Sequence, residues 1–144
     1  MKADDGLYNI KELKTDGLTI SAVVTFNKDH WIYGVHFPQY PVTPGAIILQ
    51  VAEDLLCMGT GEDYKMVGSK NVRFYNVIAP DGREVYFKMS YRKLAENWIE
   101  IGKNVDINAA GPSLLSRMLS VNCDVSDKSG DTSFAKISAV YRRY

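Results

Sequence analysis

The sequence is short of the residues that most directly announce a chemistry. Of 144 residues only two are histidine, His30 and His36, and two are cysteine, Cys57 and Cys123. No Cys/His cluster has the spacing of a zinc site, and no glycine-rich loop is built to cradle phosphate. Both cysteines lie in apolar-rich segments and read as buried reduced thiols, which points to a reducing compartment. No apolar run approaches the ~20 residues of a membrane span. The N-terminal MKADDGLYNI is polar and acidic, where a signal peptide needs an apolar stretch. A cytoplasmic protein is therefore expected. Net charge is missing too: 17 basic and 17 acidic residues cancel. That argues against strong non-specific binding to nucleic acid or to an anionic membrane. With no repeat, low-complexity tract or linker, residues 1–144 are expected to form one domain.

What is present is a large apolar fraction, 46% of residues, enough to bury a real core. Strand signals dominate. Leu7–Leu13 and Leu18–Phe26 flank Thr15-Asp16-Gly17, a hairpin signal, and the second run is rich in β-branched residues. Asn71–Ile78 reads as a strand stopped by the Ala79-Pro80-Asp81-Gly82 turn. Val85, Phe87, Met89 and Tyr91 alternate with polar neighbours, as do Leu119, Val121, Cys123 and Val125. A weaker strand is expected over Trp98–Ile107, a turn at Asn108–Pro112, and a last strand over Thr132–Arg142 after a Lys128–Asp131 turn.

One helix stands against them. Pro44 suits a first helical turn, and the helix is expected over about residues 44–58, with Gly59 and Gly61 ending it. It is apolar on most sides, so it should be buried on most sides. Its polar members Gln50, Glu53 and Asp54 fall on one stripe at ~100° per residue. The expected architecture is α+β: a curved antiparallel sheet wrapped round one helix, with dimerisation as a natural remedy for its open edges.

The segment HFPQYPVTPGAIILQ, residues 36–50, carries the chemistry. His36 suits proton transfer near neutrality, with an unperturbed pKa of ~6.5. Pro38, Pro41 and Pro44 would fix its position. Gly45 and Ala46, at the helix start, present backbone N–H groups that can polarise a carbonyl. The alternative is a structural histidine beside a hydrogen-bonded polar patch. Tyr33 and Phe37 are candidate walls of an acyl channel, or simply core. Cys57 lies on the same stripe as a possible nucleophile, but reads better as a structural thiol.

The stretch VTFNKDHWIYGVHFPQYPVTPGAIILQ resembles the short 3-hydroxyacyl-acyl carrier protein dehydratases of the hotdog fold. The matching residues are Asn27, His36-Phe37-Pro38 and Pro41-Val42-Thr43-Pro44-Gly45. NVRFYNVIAPDGREV is similar to a second family stretch, with Asp81 and Gly82 transposed. The resemblance implies a hotdog homodimer, or a higher assembly built from dimers, without a metal or redox cofactor, whose substrate rides on the phosphopantetheine of an acyl carrier protein. It implies that His36 takes the C2 proton of a 3-hydroxyacyl thioester and that the Gly45 N–H binds the thioester carbonyl. The family's catalytic acid falls on Gln50, which cannot deliver a proton as a carboxylic acid does.

Three readings follow. In the first, the acid has moved one helical turn, about 6 Å of rise, to Asp54, with Glu53 as a second candidate. In the second, the acid is lost, and the chain is a non-catalytic acyl-thioester-binding partner of an active relative. In the third, Glu53 or Asp54 serves a hotdog thioesterase. Lys70, Arg73, Arg83, Lys88, Arg92 and Lys93 form a basic stretch that could dock an acidic carrier protein.

Overall fold

A computed structural model describes residues 6–35, 39–94 and 116–144. The elements are β1 (Tyr8–Asp16), β2 (Thr19–Phe26), α1 (Ile32–Val35), α2 (Gly45–Thr60), β3 (Tyr64–Phe74), β4 (Val85–Lys93), β5 (Met118–Ser126) and β6 (Ser133–Arg143). The strands form one antiparallel six-stranded sheet in the order β1-β2-β4-β5-β6-β3. The expected Trp98–Ile107 strand and Asn108–Pro112 turn lie outside the described residues, as do His36, Phe37 and Pro38.

Period-two alternation decides which face of the sheet is dry. Ala22, Phe87, Val125 and Ala135 share one cross-strand row, and Ile20, Met89, Cys123 and Ile137 the next. All eight are buried, and the intervening positions turn outward. Against this face α2 buries Ile47, Ile48, Val51, Ala52, Leu55 and Leu56. Each of these side chains larger than alanine withdraws from water at a gain of roughly 1.5–3 kcal/mol.

The sheet is curved enough for both of its edge strands, β1 and β3, to reach the one helix. The Tyr8 hydroxyl of β1 donates to Asp54 of α2, and the Met66 N–H of β3 donates to Glu53. This is the hotdog arrangement expected above. Bulges assist the bending. β3 carries irregularities between Met66 and Gly68 and between Ser69 and Asn71, and β1 carries one between Ile10 and Glu12.

Two boundaries differ from expectation. The helix does not stop before Gly59 but runs to Thr60. Gly61 ends it in a left-handed conformation (φ 74°), its N–H donating to the Cys57 carbonyl at 2.9 Å. Gly59 lies within the helix and serves a close contact: a β-carbon there would sit 2.5 Å from Ile20 Cδ1. The strand read as Asn71–Ile78 begins seven residues earlier, at Tyr64, and ends at Phe74. Its two bulges break the alternation that would have revealed it. Residues after Phe74 leave the ladder to brace the loop before α2, the Ile78 carbonyl accepting the Thr43 N–H at 2.8 Å.

No helix among the described residues is long and apolar enough to cross a membrane.

The Gly59–Ile20 contact makes a direct test of helix-on-sheet packing. Gly59→Ala gains helix propensity of about 1 kcal/mol but overpacks a buried isoleucine. Urea unfolding should show a net loss of about 1–2 kcal/mol. Ile20→Val removes the clashing Cδ1 methyl, so it should cost less in the Gly59→Ala background than in the wild type.

Candidate active site

Helix α2 opens without a side-chain cap. Pro44 stands at the N-cap in an extended conformation (φ −60°, ψ 145°), and its carbonyl accepts the N–H groups of Ile47 and Ile48. The amides of Gly45 and Ala46 therefore point out of the helix start, where the dipole is positive. The arch before them is tied down at Thr43. Its hydroxyl shares a 2.8 Å hydrogen bond with the Tyr33 hydroxyl of α1, and its N–H reaches Ile78. Both Tyr33 and Thr43 are buried, and burial pushes the Tyr33 phenol above its ordinary value. Tyr33 thus spans from α1 to the proline arch.

Gly45 is a close-approach glycine. A β-carbon on it would lie 2.8 Å from Phe74 Cζ, so the ring at the end of β3 fills the space that a side chain would take.

The polar stripe of α2 lies in the seam between the two sheet edges. Gln50 Nε2 donates to Asp54 Oδ1 at 3.0 Å, and the Tyr8 hydroxyl donates to Asp54 Oδ2 at 3.1 Å. One turn of helix brings Gln50 and Asp54 together. Tyr8 lies 46 positions away in sequence, and no spacing rule could have paired it with Asp54. Glu53 turns to the other edge, where its Oε2 accepts the Met66 N–H at 3.1 Å. That bond lies beside the bulge in β3.

Cys57 continues the stripe. Its Sγ accepts the Tyr64 N–H at 3.2 Å and donates to the Tyr64 carbonyl at 3.4 Å. Burial pushes the Cys57 thiol up, and the carboxylates of Asp63, Glu53 and Asp54 push the same way. Cys123, fully inside the sheet face, is pushed up to about 12 by burial.

The remaining singled-out residues fall elsewhere. Asn27 closes the β2 exit, its Nδ2 donating to the Gly6 carbonyl at 3.0 Å and its Oδ1 accepting the Asp29 N–H. His30 is buried, and its Nδ1 accepts the Ile32 N–H at the start of α1. The basic stretch divides. Arg73 and Lys88 lie on one outward row with Lys136, interrupted only by Asp124. Lys70 bonds the Ser120 hydroxyl at 3.1 Å. Arg83 is taken up by Asp81, at 2.6 and 2.8 Å, and holds that carboxyl at about 2. An open groove of about 460 Å³ runs past this pair to Asp127, Thr132 and Phe134, away from the α2 stripe. Among the described residues no group of three His, Cys, Asp or Glu could hold a metal ion.

Chemically, the seam offers a carboxylate gripped by an amide and a phenol, and the helix start offers a pair of amide donors. Residues 12–101 match the family model for ApeI-like proteins, described as ApeI dehydratase. Solved structures share the fold. The dehydratase heterocomplex ApeI:P from Xenorhabdus doucetiae aligns at a TM-score of 0.62 and 12% identity, covering 94% of this chain and 97% of that one. A putative thioesterase from Lactococcus lactis aligns at 0.56 and 18% identity, covering 99% and 97%. A Streptococcus mutans protein bound to acetyl CoA aligns at 0.58 and 10%, covering 94% and 89%. Dehydratases and thioesterases thus both stand among its structural likenesses.

Glu53 and the thiols give two checks on this geometry. Glu53→Gln keeps an acceptor for the Met66 N–H and should leave urea stability within about 0.5 kcal/mol. Glu53→Ala leaves that N–H without its acceptor and should cost about 1 kcal/mol or more. At neutral pH neither Cys57 nor Cys123 should react with iodoacetamide in the folded protein, while both should react in urea.

Proposed function

Since the chain belongs to the ApeI-like dehydratase family, we propose that it dehydrates 3-hydroxyacyl thioesters carried on an acyl carrier protein. His36 removes the proton at C2. The Gly45 N–H, with Ala46 beside it, holds the thioester carbonyl and stabilises the negative charge that develops on its oxygen. As the C2–H bond breaks and the C2–C3 double bond forms, the C3–O bond breaks and the hydroxyl leaves as water with a proton given by the Asp54 carboxyl group; the proton held by His36 returns to Asp54 by way of solvent. Asp54 and Gln50 handle the departing hydroxyl as one unit. The observation that carries this reading is the 3.0 Å bond between the Gln50 amide and the Asp54 carboxylate. It supports an acid that has moved one turn along the helix, to Asp54, rather than an acid that has been lost. Phe37 and the base of Tyr33 would line the acyl path, and no metal or redox cofactor enters the scheme.

A second reading is thioester hydrolysis. It is favoured by the donors on both Asp54 oxygens, Gln50 on one and Tyr8 on the other. Such a carboxylate is held in one orientation, and each oxygen keeps a further lone pair with which to accept a hydrogen bond from an attacking water.

The reading includes a second hotdog chain. Strand β3 is an edge of the sheet. Val67, Phe74, Tyr75 and Val77, on it and just beyond it, are exposed apolar residues. Pairing along this edge would cover them. The heterocomplex formed by the Xenorhabdus relative supports a partnered assembly. The outward row of Arg73, Lys136 and Lys88 supports docking of an acidic carrier protein. The reading places this work in the cytoplasm.

The test is a panel of 3-hydroxyacyl-carrier protein thioesters of several lengths, followed by mass spectrometry for loss of water and release of thiol. Water loss is expected, reduced about 10²–10⁴-fold in His36→Ala and reduced in Asp54→Asn. Thiol release in place of water loss would establish the second reading. No turnover by the wild type, with dehydration switched on by Gln50→Glu, would establish a binding protein whose acid was lost.

A further inference from the structure

Asp54 is held from two sides, and the two holds differ in kind. Gln50 sits on the same helix one turn back, so its amide moves with Asp54 and fixes the carboxylate only relative to α2. Tyr8 belongs to β1 and reaches Asp54 Oδ2 across the seam. Its ring is buried, 9% exposed, and packs tilted against Phe26 with centroids 6.4 Å apart. A hydroxyl mounted on a buried ring has little freedom to wander. It therefore ties the carboxylate to β1, so that the side chain is held from the sheet as well as from its own helix.

We propose that Tyr8 is a positioning residue: its hydroxyl, with the Gln50 amide on the other oxygen, fixes the Asp54 carboxylate in its working orientation. This rests on the reading of Asp54 as a working group given above. Reaction geometry tolerates little error, and a displacement of about 1 Å costs on the order of 10²-fold in rate. A short aspartate on a helix, released from the sheet, can rotate about its side-chain bonds by more than that. The tyrosine O–H donates and the carboxylate accepts, so no proton needs to move for the hold to form. Tyr8 touches neither substrate nor reacting atom in this scheme; it acts through Asp54.

The test is a kinetic double-mutant cycle on the full chain, with the best thioester from the panel as substrate. Tyr8→Phe keeps the ring against Phe26 and removes only the hydroxyl. The expected result is a fall in kcat of about tenfold, with KM within about twofold, because orientation rather than binding is lost. In the Asp54→Asn background, Tyr8→Phe is expected to produce no further fall. Thermal melting of each variant separates this from loss of folded protein. Unchanged kcat in Tyr8→Phe, or an equal fall in both backgrounds, would overturn the positioning role while leaving the proposed function standing. Absence of turnover by the wild type on every thioester would overturn both.

Discussion

The closing of a curved sheet round one apolar helix is the constraint on which the rest of this protein depends. A helix apolar on most sides cannot rest on a flat sheet without exposing half of its surface. The strands answer by bending until the two edges, β1 and β3, stand on either side of α2. The seam that remains has to be polar, because it meets water, and it has to be tied, because edge strands are otherwise loosely held. Three side chains on the helix do both. Asp54 binds β1 through Tyr8, Glu53 binds the β3 backbone at Met66, and the Cys57 thiol bonds twice to Tyr64.

The same constraint explains why structure and site share residues. The seam is the one stretch of α2 not packed against sheet, so it is where a helix carboxylate can be reached from outside. A group there serves as strap and as chemistry at once. Glu53, committed to a backbone N–H of β3, is the more strap-like of the two acids. Among the described residues Asp54 is gripped by side chains, the Gln50 amide and the Tyr8 hydroxyl. Side-chain partners can be tuned by substitution without disturbing the ladder, which suits a carboxylate with a task beyond holding an edge.

The start of the helix obeys a second economy. Pro44, extended and lacking an N–H, launches α2 without a side-chain cap, so the first amides remain available to a ligand. Gly45 is required there by a contact as well as by any chemistry, because Phe74 occupies the volume of its missing β-carbon. Thr43, bonded to Tyr33 on one side and to Ile78 on the other, holds the preceding arch. Thr43 thus ties the approach to the helix start both to α1 and to the segment after β3.

Much of this was legible in the residues themselves. The alternation in β4 and β5, the β-branched run of β2 and the apolar circumference of α2 define a wrapped helix, since burial on most sides leaves few other arrangements. The 50/54 pairing is a property of helical pitch and needs no tertiary structure. What the sequence could not show are relations between distant segments. β3 was misplaced because bulges at Val67 and Lys70 break its period, and only pairing with β6 restores the register. The Tyr8–Asp54 and Glu53–Met66 bonds join residues that no local spacing relates, because they exist only once the sheet has curved. Local periodicity records what each element buries. Which side chains then meet across the seam is decided by curvature, a property of the whole sheet.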